Sequence, residues 1–232
     1  MSHTAPAGFP IYASGTTDAP RAVIMLQEAF GVNHHIREVA DRLSDEGYLA
    51  VAPQLFHRDG SPEIPYDDFQ AALPFMANLT KQGLTNDLNA TTDFLATLGF
   101  QSPNIAAIGF CMGGTVSFFA ATLGTIGAAA SFYGGGVATG RFGLPPLIEL
   151  AADLHSPWLG LYGDLDQSIL VDQVEALRAA TSASSVETEI VRYAGAKHGF
   201  HCDARADSFN EEAARDAYAR ALAFFAEHLS DR

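Results

Sequence analysis

Basic residues are scarce in this chain. Thirteen Lys and Arg stand against 27 Asp and Glu over 232 residues, a formal charge of -14. Such a surface repels phosphate backbones and anionic lipid, so neither a nucleic-acid partner nor a membrane partner is expected. Cysteine is nearly absent too, with only Cys111 and Cys202 and no CxxC pair. Two residues cannot build a disulfide scaffold, so free thiols in a reducing compartment are expected. No run approaches the roughly 20 continuous apolar residues of a membrane span. The start, MSHTAPAGFP, lacks the charged and apolar stretches of a secretory signal. These absences predict a soluble, cytoplasmic protein.

What is present is apolar and periodic. With 48% hydrophobic residues, the chain can bury one large core, and one domain over 1–232 is expected. Short apolar runs alternate with longer amphipathic segments, the pattern of a mostly parallel sheet wrapped by helices in an α/β fold. Strands are predicted over 21–27, 48–53, 104–110, 126–133, 157–163 and 186–193, with 1–20 as an N-terminal arm. A helix follows the first strand, with Ile36, Val39, Ala40 and Leu43 on one face and Gly47 as its stop. Asp172 with Glu175 reads as a capping box before VEALRAA. Asn210, Glu211 and Glu212 open a last helix that buries Ala214, Tyr218, Leu222 and Phe225. The polar, proline-punctuated stretch 57–78 reads as an excursion with a short helix that borders a pocket.

The chemistry concentrates in GFCMGG, Gly109 to Gly114, between an apolar strand and a small-residue helix. Glycines two before and two after Cys111 allow the tight strand-to-helix corner of a nucleophile elbow, usually written GxSxG. A helix start lowers a thiol pKa, and the thiolate is the attacking form. The Met112 N–H would face the oxygen of a carbonyl under attack. The competing reading is a small buried hydrophobe in a packing turn, so partners must decide. An elbow nucleophile requires an acid and then a histidine, each past the carboxyl end of a later strand. YGDLDQSI offers Asp164 and Asp166, and AGAKHGF offers His198. HGFHC adds His201 and Cys202, but no second ligand pair at metal spacing accompanies them, so no metal or other cofactor is expected.

With QEAFGVNHHIREVADRLSDEGYLAVAPQLFHR, GFCMGG, YGDLDQSI and AGAKHGFHCDAR spread from about Arg21 to Leu229, the chain resembles the dienelactone hydrolase (carboxymethylenebutenolidase) family of α/β hydrolases. The resemblance implies a single-domain, three-layer α/β-hydrolase fold with Cys111 as nucleophile, Asp166 as orienting acid and His198 as base. It implies Glu28 as a second carboxylate at the resting thiol, and Ala29 N–H as partner of Met112 N–H in an oxyanion hole. Like-charge repulsion from Glu28 would restrain premature ionisation of the thiol. The expected activity is hydrolysis of small esters or lactones through a thioester-acyl intermediate. Other esters, thioesters and a non-catalytic ligand-binding module are the alternatives. Family members grip a substrate carboxylate with two arginines; here Arg205 offers one, and 60–90 contains none. Phe30, Phe56, Tyr133 and Phe200 are expected as pocket walls. Gln27 has no assigned role, and the assembly is expected to be a monomer or small homo-oligomer.

Overall fold

The structure, a computed structural model, describes residues 2–4, 8 and 10–232, the first three as backbone alone. Eight strands form one sheet: β1 (Ser2–Thr4), β2 (Pro10–Ser14), β3 (Arg21–Leu26), β4 (Tyr48–Pro53), β5 (Ile105–Phe110), β6 (Ala128–Phe132), β7 (Trp158–Gly163) and β8 (Thr188–Tyr193). Their spatial order is β1-β2-β4-β3-β5-β6-β7-β8. From β4 to β8 every neighbouring pair is parallel, whereas β1 and β2 join antiparallel. The described helices are α1 (His34–Asp45), α2 (Phe69–Ala77), α3 (Lys81–Thr97), α4 (Met112–Ala121), α5 (Leu147–Leu150), α6 (Val171–Thr181) and α7 (Glu211–His228).

All six predicted strands are present within two residues at each end. Every residue of β4, β5, β6 and β7 is buried, as expected when helices cover both faces of a parallel sheet. Helix α1 begins where the Asn33 side chain accepts from Ile36 N at 3.1 Å. It buries Ile36, Val39, Ala40 and Leu43, each worth about 1.5–3 kcal/mol for the large aliphatic chains. Asn210 caps α7 in the same way, at 3.1 Å from Ala213 N. That helix buries Ala214 and Phe225 fully, and Tyr218 and Leu222 in part.

Two expectations need correction. The 1–20 arm is partly sheet: Ile11 and Ala13 turn into the core while Pro10, Tyr12 and Ser14 are half-buried, the alternation of an edge strand, and β2 pairs with β4 from Ile11↔Pro53 to Ser14↔Ala50. Of that arm, residues 1, 5–7 and 9 lie outside the described residues. The Asp172–Glu175 capping box is also absent. Helix α6 starts two residues earlier, with Leu170 as its cap and Gln173 Oε1 accepting from Leu170 N at 3.3 Å. Glu175 is drawn instead to Arg178 and Arg192, at 2.9 and 2.8 Å.

The 57–78 excursion holds a short 3₁₀ turn at His57–Asp59 and then α2. Its base is fixed to α3 by Arg58, which donates to both oxygens of buried Asp87 at 2.7 and 2.8 Å. His57 lies 3.1 Å from the same carboxylate. From β3 the chain runs outward to β4 on one side, and from β5 outward to β6, β7 and β8 on the other. The β3/β5 boundary is therefore the switch point where α/β sheets open a crevice beyond their strand ends.

Candidate active site

Cys111 stands at that crevice, between β5 and α4, with φ 55° and ψ -115°. A non-glycine residue held there stores about 1–3 kcal/mol of strain. Its surroundings hold it in place. The Cys111 N–H donates to Phe132 O at 3.0 Å. A β-carbon on Gly109 would run into the Gly113 carbonyl, and one on Gly113 into the Leu26 carbonyl. Glycine at both positions is thus a steric requirement of the corner.

The loops after β7 and β8 supply the partners. His198 Nδ1 donates to Asp166 Oδ2 at 2.6 Å. The other carboxylate oxygen, Oδ1, accepts from Ser168 Oγ at 2.7 Å, Ser168 N at 2.8 Å and Ile169 N at 3.1 Å. Burial of Asp166 favours its neutral form, but His198 and the Ser168 donors outweigh it and hold the carboxyl below its ordinary value. Burial likewise disfavours imidazolium at His198. The neighbouring Cys111 sulfur, within hydrogen-bonding reach, and Asp166 override it and push the pKa up to about 10. Asp164 takes no part, since it is paired with Arg192 at 2.7 and 2.9 Å.

Glu28 lies two residues past Leu26, and Cys111 two past Gly109, with Leu26 and Gly109 registered across the parallel ladder. The carboxylate is fully buried. Oε2 accepts from Tyr66 Oη at 3.0 Å, and Oε1 has no partner among the described residues. Ala29 is buried beside it and Met112 opens α4; as the first helical residue, Met112 has an N–H beyond the reach of intrahelical acceptors. Gln27 acquires a role here: its Oε1 accepts from Leu55 N at 3.0 Å, tying the end of β3 to the chain beyond β4.

A cavity of about 270 Å³ opens beside the sulfur. Phe30, Phe69, Met76 and Phe142 give it apolar walls, Cys111 and His198 reach its floor, and Arg141 and Arg205 also line it. Among the described residues neither guanidinium is ion-paired with a carboxylate. Arg205 rests 5.8 Å above the rings of Phe30 and of Tyr66. Of the expected aromatic walls only Phe30 is one. Phe56, Tyr133 and Phe200 are buried in the core, Phe56 against Phe75 and the other two against each other at 5.2 Å. Tyr133 supports the site from below, its ring 5.1 Å from that of His198.

Sequence reasoning missed Arg141, which follows β6 in a glycine-rich loop with no motif around it. It also missed Ser168 and Tyr66, whose roles depend on long-range partners. His201 and Cys202 are buried in the fold, His201 against Phe110 at 4.7 Å. Among the described residues, the grouping with donor spacing suited to an ion is His35, Glu38 and Asp203, none of which lines the cavity.

An elbow at the switch point, followed along the chain by an acid and a histidine beyond later strands, defines an α/β hydrolase. The dienelactone hydrolase family model matches residues 9–229. The chain belongs to that family. Relatives named "Putative carboxymethylenebutenolidase" include one from Salmonella typhimurium, 36% identical over 208 residues that cover 89% of this chain and 77% of that protein. One from Synechocystis sp. is also 36% identical, covering 89% of this chain and 86% of that one. The crystal structure of a "Putative Dienelactone Hydrolase" from Klebsiella pneumoniae superimposes with a TM-score of 0.86 at 35% identity, covering 98% of each chain.

Proposed function

We propose that the protein hydrolyses esters or lactones that carry a carboxylate, through a thioester formed on Cys111. The observation that carries this reading is the Cys111–His198–Asp166 chain opening on a cavity with two arginines that lack carboxylate partners. In an acidic protein, guanidinium groups left without carboxylates at a cavity wall suit an anionic ligand. In the first step Cys111 Sγ attacks the carbonyl carbon, and the N–H groups of Met112 and Ala29 receive the oxyanion. The C–O bond to the leaving alcohol breaks, and His198 Nε2 returns a proton to that oxygen. Water then attacks the thioester carbonyl and gives a proton to His198, the C–S bond breaks to release the carboxylic acid, and His198 returns that proton to the sulfur. Asp166 holds the imidazole in the required tautomer and orientation throughout.

The test compares carboxylate-bearing and neutral esters on the native protein, Cys111→Ala and His198→Ala. Both variants should lose at least a thousandfold in kcat/KM while melting like the native protein. Turnover retained by Cys111→Ala would refute the thioester route.

A further inference from the structure

Hydrolysis divides an ester into an acyl half, held on the sulfur, and an alcohol half, which departs. The cavity beside Cys111 accounts for the first. A second hollow, of about 420 Å³, adjoins it. Ser168, His198 and Arg205 line both, so the second begins where the first ends. Beyond that shared ridge it is bounded by Leu165 and Gln167 of the acid loop and by Lys197, Asp207 and Ser208 of the histidine loop. Backbone hydrogen bonds hold these walls. Leu165 N–H donates to Ala196 O at 2.9 Å, which ties the acid loop to the residue before Lys197. Arg205 N–H donates to Cys202 O at 3.1 Å and Ser208 N–H to Arg205 O at 2.9 Å, so the far wall is a closed turn. The Arg205 guanidinium packs on Gly199, where a β-carbon would collide with it and where φ is 79°. That seat keeps a cation beside His198 at the join of the two hollows. Lys197 Nζ donates to the Asp207 carbonyl at 3.0 Å and is ion-paired with no carboxylate among the described residues. Leu165, 52% exposed, is the one large apolar side chain among those lining the second hollow.

We propose that this hollow is a leaving-group subsite, which takes the alcohol half of an open-chain ester whose alcohol is polar and presents an oxygen acceptor to Lys197. This rests on the cysteine-hydrolase reading above and narrows its substrate class. In acylation the C–O bond breaks and the departing oxygen takes the proton from His198 Nε2, so that oxygen must lie within reach of the imidazole. Whatever is bonded to its far side has to run past His198, and the second hollow is the space that His198 shares with the acyl cavity. In a lactone the departing oxygen stays tethered to the acyl chain and turns back with it. A lactone therefore leaves the second hollow unused, whereas an open-chain ester fills both. The hollow exceeds the acyl cavity of about 270 Å³, which leaves room for an alcohol well beyond methyl. Its lining sets the class: a charged ammonium, an amide and hydroxyls around a single leucine suit a hydroxylated group and not an alkyl chain.

The experiment compares kcat/KM for the methyl, butyl and glyceryl esters of one carboxylate-bearing acyl group. All three pass through the same acylated protein, so the alcohol half acts only on the steps before it forms, and kcat/KM reads those steps. The glyceryl ester should exceed the methyl ester by about tenfold or more, the worth of one charge-assisted hydrogen bond. The butyl ester should show no such gain. Lys197→Met, which keeps an unbranched stem and removes the charge, should cut the glyceryl-to-methyl ratio by about tenfold. Leu165→Trp, which narrows the hollow from an exposed position, should lower the ratio as well and provides a second variant should the first fold poorly. A native ratio near one, an equal gain for the butyl ester, or a ratio left unchanged by either variant would each overturn the proposal. The ratio requires only that the esters be turned over, by whichever nucleophile, so failure here is distinguishable from failure of the thioester route, which Cys111→Ala decides.

Discussion

Removing the sulfur should release the proton that His198 holds. The rise of this imidazole from 6.5 to about 10 corresponds to roughly 5 kcal/mol favouring its charged form, gained against a burial that opposes charge. Cys111 leads the contributions that raise it, ahead of the Asp166 hydrogen bond. Cys111→Ala leaves Asp166 in place at 2.6 Å but deletes the sulfur. The midpoint should therefore drop by at least one unit, or about 1.4 kcal/mol. Titration of the His198 ring protons by NMR measures this directly, with His201 as a buried reference whose imidazole is held well below its ordinary range. Linkage fixes the accompanying stability change. A group whose pKa is raised on folding adds stability that is complete below 6.5 and is lost as pH climbs through about 10. The difference in melting temperature between native and Cys111→Ala proteins should accordingly shrink across that interval. A His198 that still titrates near 10 without the sulfur would show that Asp166 alone sustains its charge, and would refute the thiolate–imidazolium coupling.

Other outcomes follow from the same geometry. Arg141→Ala and Arg205→Ala should each raise KM for carboxylate-bearing esters by about tenfold or more, the worth of one charge-assisted contact. Neutral esters should be little affected, and steady-state kinetics on matched pairs checks this. Arg58→Ala leaves buried Asp87 with His57 as its remaining ion-pair partner among the described residues, a loss of up to about 3 kcal/mol for breaking a buried pair. The half-exposed guanidinium makes the lower part of that range the expectation. Thermal melting should fall by roughly 4–10 °C, and a change under 1 °C would show that the pair does not anchor the excursion.

Much of this architecture was legible in the linear chain because its signals are local. The strands β3 to β7 are apolar runs bounded by turn residues, and the elbow announces itself through glycines that sterics demand at 109 and 113. The order of Cys111, acid and His198 follows from a topology that places each beyond a strand end. The choice between Asp164 and Asp166 needed the family resemblance, since both follow the same strand. In the fold, Arg192 on β8 takes the first and leaves the second for His198. The missed features are those with no local signature. Strand β2 is short and borders residues without periodicity, so its alternation at Ile11 and Ala13 is easily read as an arm. Arg141 reaches the cavity only because the loop after β6 folds back over the elbow side of the sheet. Phe56, Tyr133 and Phe200 are aromatic residues near functional motifs, and composition alone does not separate a wall from a core.

The placement of the reacting groups has a consequence for the nascent chain. The sulfur is synthesised at position 111, but the imidazole proposed to activate it follows β8, 87 residues later. A ribosome-bound or truncated chain ending before β8 carries a thiol with no proton acceptor of its own. Under the proposed mechanism such products are inert, and turnover awaits the last 35 residues, His198 to Arg232.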